Sequence, residues 1–333
     1  MAKVAQAFSP KEWTCWVISD SSDSGTTGIH TSNMLQLDVD SIGFPSLNVT
    51  QALDVRNGVG ATLKDEDFFQ DNKMRVVELS LSGTLHDDTG HRLLLANICG
   101  AAQADDTNQT IAHNHKIVSH NYGASVTNNA SSLTIALRPS AMTNATTLEM
   151  SGMVVTNFTI SSDMGTEGGR YKFSATLQSG YLPDLDDATL AGASGYVNTD
   201  TAILSASSGH KVLNTDVVMN SFSCTIDYPA VFSGATSTGF ETVSRGAECS
   251  VTVDTSVKYD DNTKGFVNSF DTQTAANNGN TFVVVNNGKF GLEVSDGVLT
   301  NVAYSEGDIM MLDCSIKAVS DGSSDLLTVD LSN

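Results

Sequence analysis

Leu148-Glu149-Met150-Ser151-Gly152-Met153-Val154-Val155-Thr156-Asn157-Phe158-Thr159-Ile160-Ser161 returns 144 residues later as Leu292-Glu293-Val294-Ser295-Asp296-Gly297-Val298-Leu299-Thr300-Asn301-Val302-Ala303-Tyr304-Ser305. Seven of the 14 positions are identical, and most of the others exchange one apolar residue for another. The Thr, Ser, Val, Ile and Phe content and the alternation of apolar with polar residues read as a strand with one buried face. A strand that recurs at a fixed distance reads as one half of a duplicated β-unit.

Two weaker matches lie upstream in the same order. Arg75-Val76-Val77-Glu78-Leu79-Ser80-Leu81 aligns with Arg245-Gly246-Ala247-Glu248-Cys249-Ser250-Val251, and Ser46–Thr50 aligns with Ser221–Thr225. Each unit therefore reads as a strand, a long loop, a second strand, an Asp-Asp turn (Asp87-Asp88, Asp260-Asp261), a short helix and three further strands. Asp88 or Thr89 is placed to cap a helix over Gly90–Cys99, with Leu93, Leu94 and Ile98 inward. Its partner is expected over Thr263–Phe270, with Phe266, Val267 and Phe270 inward. The last three strands are expected near 133–137, 146–160 and 171–178, then near 281–285, 289–304 and 309–318. The fold class is mainly β, two tandem β-sandwich or barrel domains with one helix each. The expected divisions are an arm over 1–30, a first domain over 31–180, a connector over 181–216 and a second domain over 217–333.

Composition narrows the function. Lys and Arg number 17 against 38 Asp and Glu, a net charge of −21, the opposite of a duplex-DNA-binding footprint or an anionic-membrane binder. No apolar run reaches the ~18 residues of a membrane span, and Met1–Trp16 has no apolar leader core. The five cysteines, Cys15, Cys99, Cys224, Cys249 and Cys314, form no CxxC pair and read as reduced thiols. Five Asn-x-Ser/Thr triplets read as products of an Asn- and Thr-rich composition.

Motifs for chemistry are thin. Asp23-Ser24-Gly25 and Asp88-Thr89-Gly90 resemble the paired triplets of aspartic proteases, but Ser22 and Asp87 precede them where apolar strand residues belong; they read as turns and caps. His113, His115 and His120 have a metal-like spacing but no nearby carboxylate or cysteine, and read as loop. Asp184, Asp186 and Asp187 lack the Gly and Glu of a calcium loop. Gly58-Val59-Gly60 lacks the third glycine of a dinucleotide site. The expectation is no enzyme, no catalytic or metal site and no cofactor.

The loops carry more. Asn57–Met74 and Val231–Val243 each join strands that a tight turn would serve. Asp65, Glu66, Asp67, Phe68 and Phe69 in the first, and Phe232 and Phe240 in the second, mix charge and aromatics as docking elements do. Arg75 with Glu78, and Arg245 with Glu248, read either as cross-subunit ion pairs or as ordinary strand-edge charges.

The order of elements, with the phrases Leu47–Gly58, Arg75–Gly90 and Gly152–Ser162, resembles the tail-tube proteins of long-tailed bacteriophages. That resemblance implies small β-sandwich domains closing rings around a DNA channel, with the long loops as the inter-ring contacts. For a fused pair it implies homotrimeric rings of pseudo-sixfold symmetry in a sheathless, siphovirus-like tail. It also implies tail terminator and tail tip proteins as partners, a tape-measure protein in the lumen and DNA passing without specific binding. The protein would be made in the host cytoplasm and reside in the virion tail, with no membrane. The alternative reading is a head-decoration or receptor-binding β-protein of a virion.

Overall fold

Alternation along the strands is carried through into burial. Val77–Thr84 buries Val77, Leu79 and Leu81 and turns Glu78 and Ser80 outward; Ser250–Lys258 does the same with Val251, Val253 and Val257 against Thr252 and Asp254. The computed structural model describes residues 9–19, 34–46, 50–51, 68–69, 76–99, 114–117, 132–139, 147–166, 168–186, 204, 209–234, 240, 242–245, 248–272, 281–286, 290–320 and 325–331.

Eight strands make one continuous antiparallel path. They are β1 (Ser41–Gly43), β2 (Val77–Thr84), β3 (Thr147–Asp163), β4 (Lys172–Ser179), β5 (Met219–Asp227), β6 (Ser250–Lys258), β7 (Gly297–Ser305) and β8 (Met311–Ala318). Their spatial order is β1-β2-β4-β3-β5-β6-β8-β7. The first four and the last four are wired identically, and the halves meet where β3 pairs with β5.

The second layer repeats the correspondence. In the first half, Leu35–Leu37, Trp13–Ser19, Leu133–Pro139, the N-terminal part of β3 and Asp184–Asp186 lie in that order. In the second half the order is Thr215–Asp216, Lys211–Val212, Phe282–Asn286, Phe290–Val294 and Leu327–Asp330. Asn114–Ile117, from the first half, adds itself to Leu327–Asp330. Both halves also carry an outlying hairpin at the same point of the chain. Thr50–Gln51 pairs with Phe68–Phe69, and Ala230–Ser233 with Thr242–Arg245.

A chain that leaves one layer for the other must bend. In the first half β3 does so at Gly152, whose φ of +64° suits glycine, and where a Cβ would lie 2.7 Å from the Tyr181 ring. In the second half a break at Ser295-Asp296 separates Phe290–Val294 from β7. The Thr-Asn pair that follows is a β-bulge in both copies. Leu177 faces Val155 while Thr176 faces Asn157, leaving Thr156 unpaired; Leu299 and Asn301 face Ile316 and Ser315, leaving Thr300 unpaired. Each bulged threonine donates its hydroxyl to a carbonyl across the ladder, Thr156 to Thr176 at 3.2 Å and Thr300 to Ser315 at 3.0 Å.

The pairing confirms the 144-residue offset but moves the upstream alignments. Leu81 and Thr255 hold the same ladder position, as do Ile42 and Phe222, so the offsets there are 174 and 180 rather than the 170 and 175 of the sequence matches. The first alignment slides by four, an even step that keeps the buried face of a period-two pattern; the second slides by five, an odd step that exchanges the faces, so there the sequence match paired the wrong sides of the strand.

The helices are α1 (Thr89–Cys99) and α2 (Phe266–Thr272). Asp88 caps α1, accepting from the His91 main-chain N–H at 2.8 Å, and Leu93, Leu94 and Ile98 are buried as expected. In α2 Phe266 is buried, but Phe270, expected inward, is exposed.

Two boundary expectations change. Within 1–30, read as an arm, Trp13–Ser19 is a strand of the second layer with Cys15 and Val17 fully buried, and its counterpart is Lys211–Val212. Within 181–216, read as a connector, Asp184–Asp186 and Lys211–Asp216 also belong to the layers. Short polar strands such as Asp-Leu-Asp give no alternation long enough to read. One contiguous apolar core runs through both halves, with Tyr171 against Phe290 (4.4 Å) and Phe222 (5.7 Å) bridging them.

Candidate functional surface: the polar sheet face and the seam

The eight-stranded path has one apolar face and one polar face, because every strand contributes alternate residues to each. On the polar face Thr84, Lys172, Ser161, Ser223, Asp254, Ser315 and Asn301 form one row across seven strands. Ser82, Ser174, Thr159, Thr225, Thr252 and Lys317 form the next. Hydroxyls dominate, and they bond to one another and to their neighbours. Thr159 and Thr225 meet across the seam at 3.1 Å, and Ser315 donates to Asp254 at 2.6 Å.

Charge on this face is sparse and leans acidic. Glu78, Asp163, Asp227, Asp254 and Asp313 share it with Arg170, Lys172, Lys258 and Lys317. Lys172 reaches Asp40 at 3.3 Å and Lys317 reaches Glu248 at 3.9 Å, so two of these cations already have carboxylate partners. A depression of about 460 Å³ lies over the seam, walled by Ser161, Asp163, Lys172, Ser223, Asp254 and Ser315 among others. Among the described residues no three His, Cys, Asp or Glu side chains converge to hold a metal ion. Burial pushes all five cysteine thiols up, Cys15, Cys224 and Cys314 to about 12, so they stay protonated and weakly nucleophilic at neutral pH.

The seam is fixed at one end by Arg245. Its guanidinium donates to the carbonyls of Val155 (2.5 Å), Tyr228 (3.1 Å) and Asn97 (2.7 Å), and to Asn97 Oδ1 (3.1 Å). It also lies 5.0 Å from the Tyr228 ring centre. Burial pulls its pKa down to about 10, still well above neutrality. Asn97, fully buried on α1, accepts from the Val155 N–H at 2.7 Å, so one side chain holds the bulge and receives the arginine. Arg245 thus ties helix, bulge and second half together. Within the chain Glu248 pairs with Lys317 and Arg245 with these carbonyls. A polar Asn among Leu93, Leu94 and Ile98 on a helix face is the sequence signal that pointed here and went unread.

Phe232 and Phe240 also turn inward. Their rings meet at 5.6 Å and roof Gly180, whose carbonyl accepts from the Phe240 N–H at 3.3 Å. The hairpin's open side instead shows Val231 and Val243. Of the first loop, Phe68–Phe69 is described as a strand pair; Asp65, Glu66, Asp67 and Arg75 lie outside the described residues. Glu78 accepts from Gln178 at 3.1 Å. His113, His120, Asp187, Asp23-Ser24-Gly25 and Gly58-Val59-Gly60 also lie outside the described residues, whereas Asp88-Thr89-Gly90 is the capped start of α1.

No protein-family model matches the chain, and no curated protein matches it.

Proposed function

We propose that the chain is the structural subunit of a phage tail tube, stacking as trimeric rings around a channel for genomic DNA. The observation that carries the reading is the seam: two identically wired halves already joined edge to edge into one sheet, with a polar face running unbroken across the join. A protein that builds one such join inside itself has the parts to build the same join between copies.

Three copies joined in this way supply six units and about 24 strands. At ~4.8 Å per strand and a tilt of ~40°, such a barrel is roughly 48 Å across, enough to pass a hydrated DNA duplex. A channel wall must not hold its cargo. Affinity for duplex DNA grows with each phosphate neutralised by a cation, and the hydroxyl-rich face offers few, two of which are paired with acids. The net charge of −21 further repels nucleic acid and keeps free subunits soluble. The chemical logic is therefore that of an inert conduit. In this reading the tape-measure protein occupies the lumen before DNA does, and terminator and tip proteins close the ends. The hairpins around Phe68–Phe69 and Val231/Val243 lie at the rims where rings stack.

Electron microscopy of the purified protein tests this. Hollow rings or tubes with three copies per ring are expected; a monodisperse monomer at high concentration overturns the reading.

A further inference from the structure

The sheet has two open edges, β1 and β7, which are the counterparts of the two strands that meet at the seam. Carrying the seam's register outward by the offsets of 180 and 144 sets a specific alignment. Tyr304 falls opposite Phe44, as Ile160 is opposite Cys224; Val302 falls opposite Ser46, as Phe158 is opposite Ile226.

Burial singles out the same positions. Ile160 and Cys224 are fully buried at the seam, whereas Tyr304 is 52% and Phe44 38% exposed at the open edges. Exposed aromatics stand where the seam buries side chains.

The main chain agrees. Across the seam the Tyr228 N–H donates to Thr156 O at 2.8 Å and the Met164 N–H to Asn220 O at 3.0 Å. Even-numbered residues from 220 to 228 therefore turn their main chain toward β3. Their counterparts on the open edge are Ile42, Phe44 and Ser46. Pro45 corresponds to Thr225, whose main chain faces the other way, so its missing N–H is not one the edge would use. On the other edge Asn301-Val302-Ala303-Tyr304-Ser305 carries no charge and no proline, the devices that keep an edge strand from pairing.

The geometry points to head-to-tail self-association in which β7 of one copy pairs antiparallel with residues 42–46 of the next, Tyr304 facing Phe44. This rests on the ring reading for closure but fixes a register by itself.

Disulfide trapping tests it with the variant Phe44→Cys/Tyr304→Cys. Directly opposite Cα atoms lie ~5.5 Å apart in a hydrogen-bonded pair, within the ~4.4–6.8 Å of a disulfide. The register control is Phe44→Cys/Glu306→Cys, and each single variant reports any background from the native thiols. Under mild oxidation the first variant should give covalent trimers on a non-reducing gel and the control should give none. Rings by microscopy with trapping only in the control, or in neither, overturn the register and leave the tube reading standing. Trapped open chains or dimers without rings keep the register and overturn the tube. Tyr304→Asp, which alters a half-exposed ring whose edge contact is with Tyr259, should leave the monomer folded with a slightly lower melting temperature and abolish association; persistent association overturns the proposal.

Discussion

Strand β3 beyond Gly152 and its copy β7 share a bulge, a threonine clasp and a Thr-Asn pair, yet they live in different surroundings. The first is covered on its outer flank by β5, and Phe158 and Ile160 are fully buried. The second is an edge, with Tyr304 half in water. The same local code thus serves as interior and as rim. What differs is whether a neighbouring strand is present, and the first copy has Arg245 and Asn97 to hold that neighbour in place. The difference teaches that the duplication kept the backbone plan and let the side chains diverge according to what covers them.

The most severe way to break the comparison is to remove the arginine. Arg245→Met strips the carbonyls of Val155, Tyr228 and Asn97 of a donor at once. At ~1–3 kcal/mol per buried group left unsatisfied, a loss of about 3–5 kcal/mol is expected in urea unfolding. A loss below about 1 kcal/mol would mean that the seam does not depend on it. The two threonines give a finer test. Thr156→Val, at a buried bulge, should cost ~1–1.5 kcal/mol, while Thr300→Val, exposed, should stay within about 0.5 kcal/mol. Equal costs would show that covering the strand adds nothing to the clasp.

A third test concerns the cap of α1. Burial pushes the Asp88 carboxyl up, but the neighbouring His91 ring and its ring and main-chain hydrogen bonds outweigh this, and the net shift is downward. A carboxylate with a folded pKa below its unfolded value of ~3.9 stabilises the fold above that pH and loses the effect as pH falls through the folded value. Asp88→Ala should therefore cost ~1 kcal/mol at pH 7, and the gap to the unchanged protein should begin to narrow below about pH 4 and go on narrowing as the pH falls through the lowered folded value. Thermal melts followed from pH 7 downward measure this; a gap that does not narrow as the pH falls below about 4 would assign the cap's value to something other than charge.

Much was legible in the chain itself. Alternation such as Leu133-Thr134-Ile135-Ala136-Leu137 located the strands, and the Asp-Asp-Thr-Gly turn with Leu93, Leu94 and Ile98 located α1 within a residue. The repeat at Leu148 and Leu292 aligned the two strands that carry the bulges residue for residue, while the bulges themselves show only in the pairing. The site was less legible. Phe232 and Phe240 read from sequence as a docking pair, and within the chain they pack half-buried over Gly180, a contact no local pattern announces.

The amino-acid sequence by itself determined where the long alternating strands and α1 lie, which face of each is apolar, and that the Leu148 strand recurs 144 residues on. These depend on neighbours a few residues away. Only the tertiary structure decided which edges meet, that Trp13–Ser19 and Asp184–Asp186 join the second layer, and that Arg245 closes the seam over Asn97. One alternating strand fits beside many others. The choice among them is made by contacts between residues a hundred or more positions apart, such as the 148 between Asn97 and Arg245.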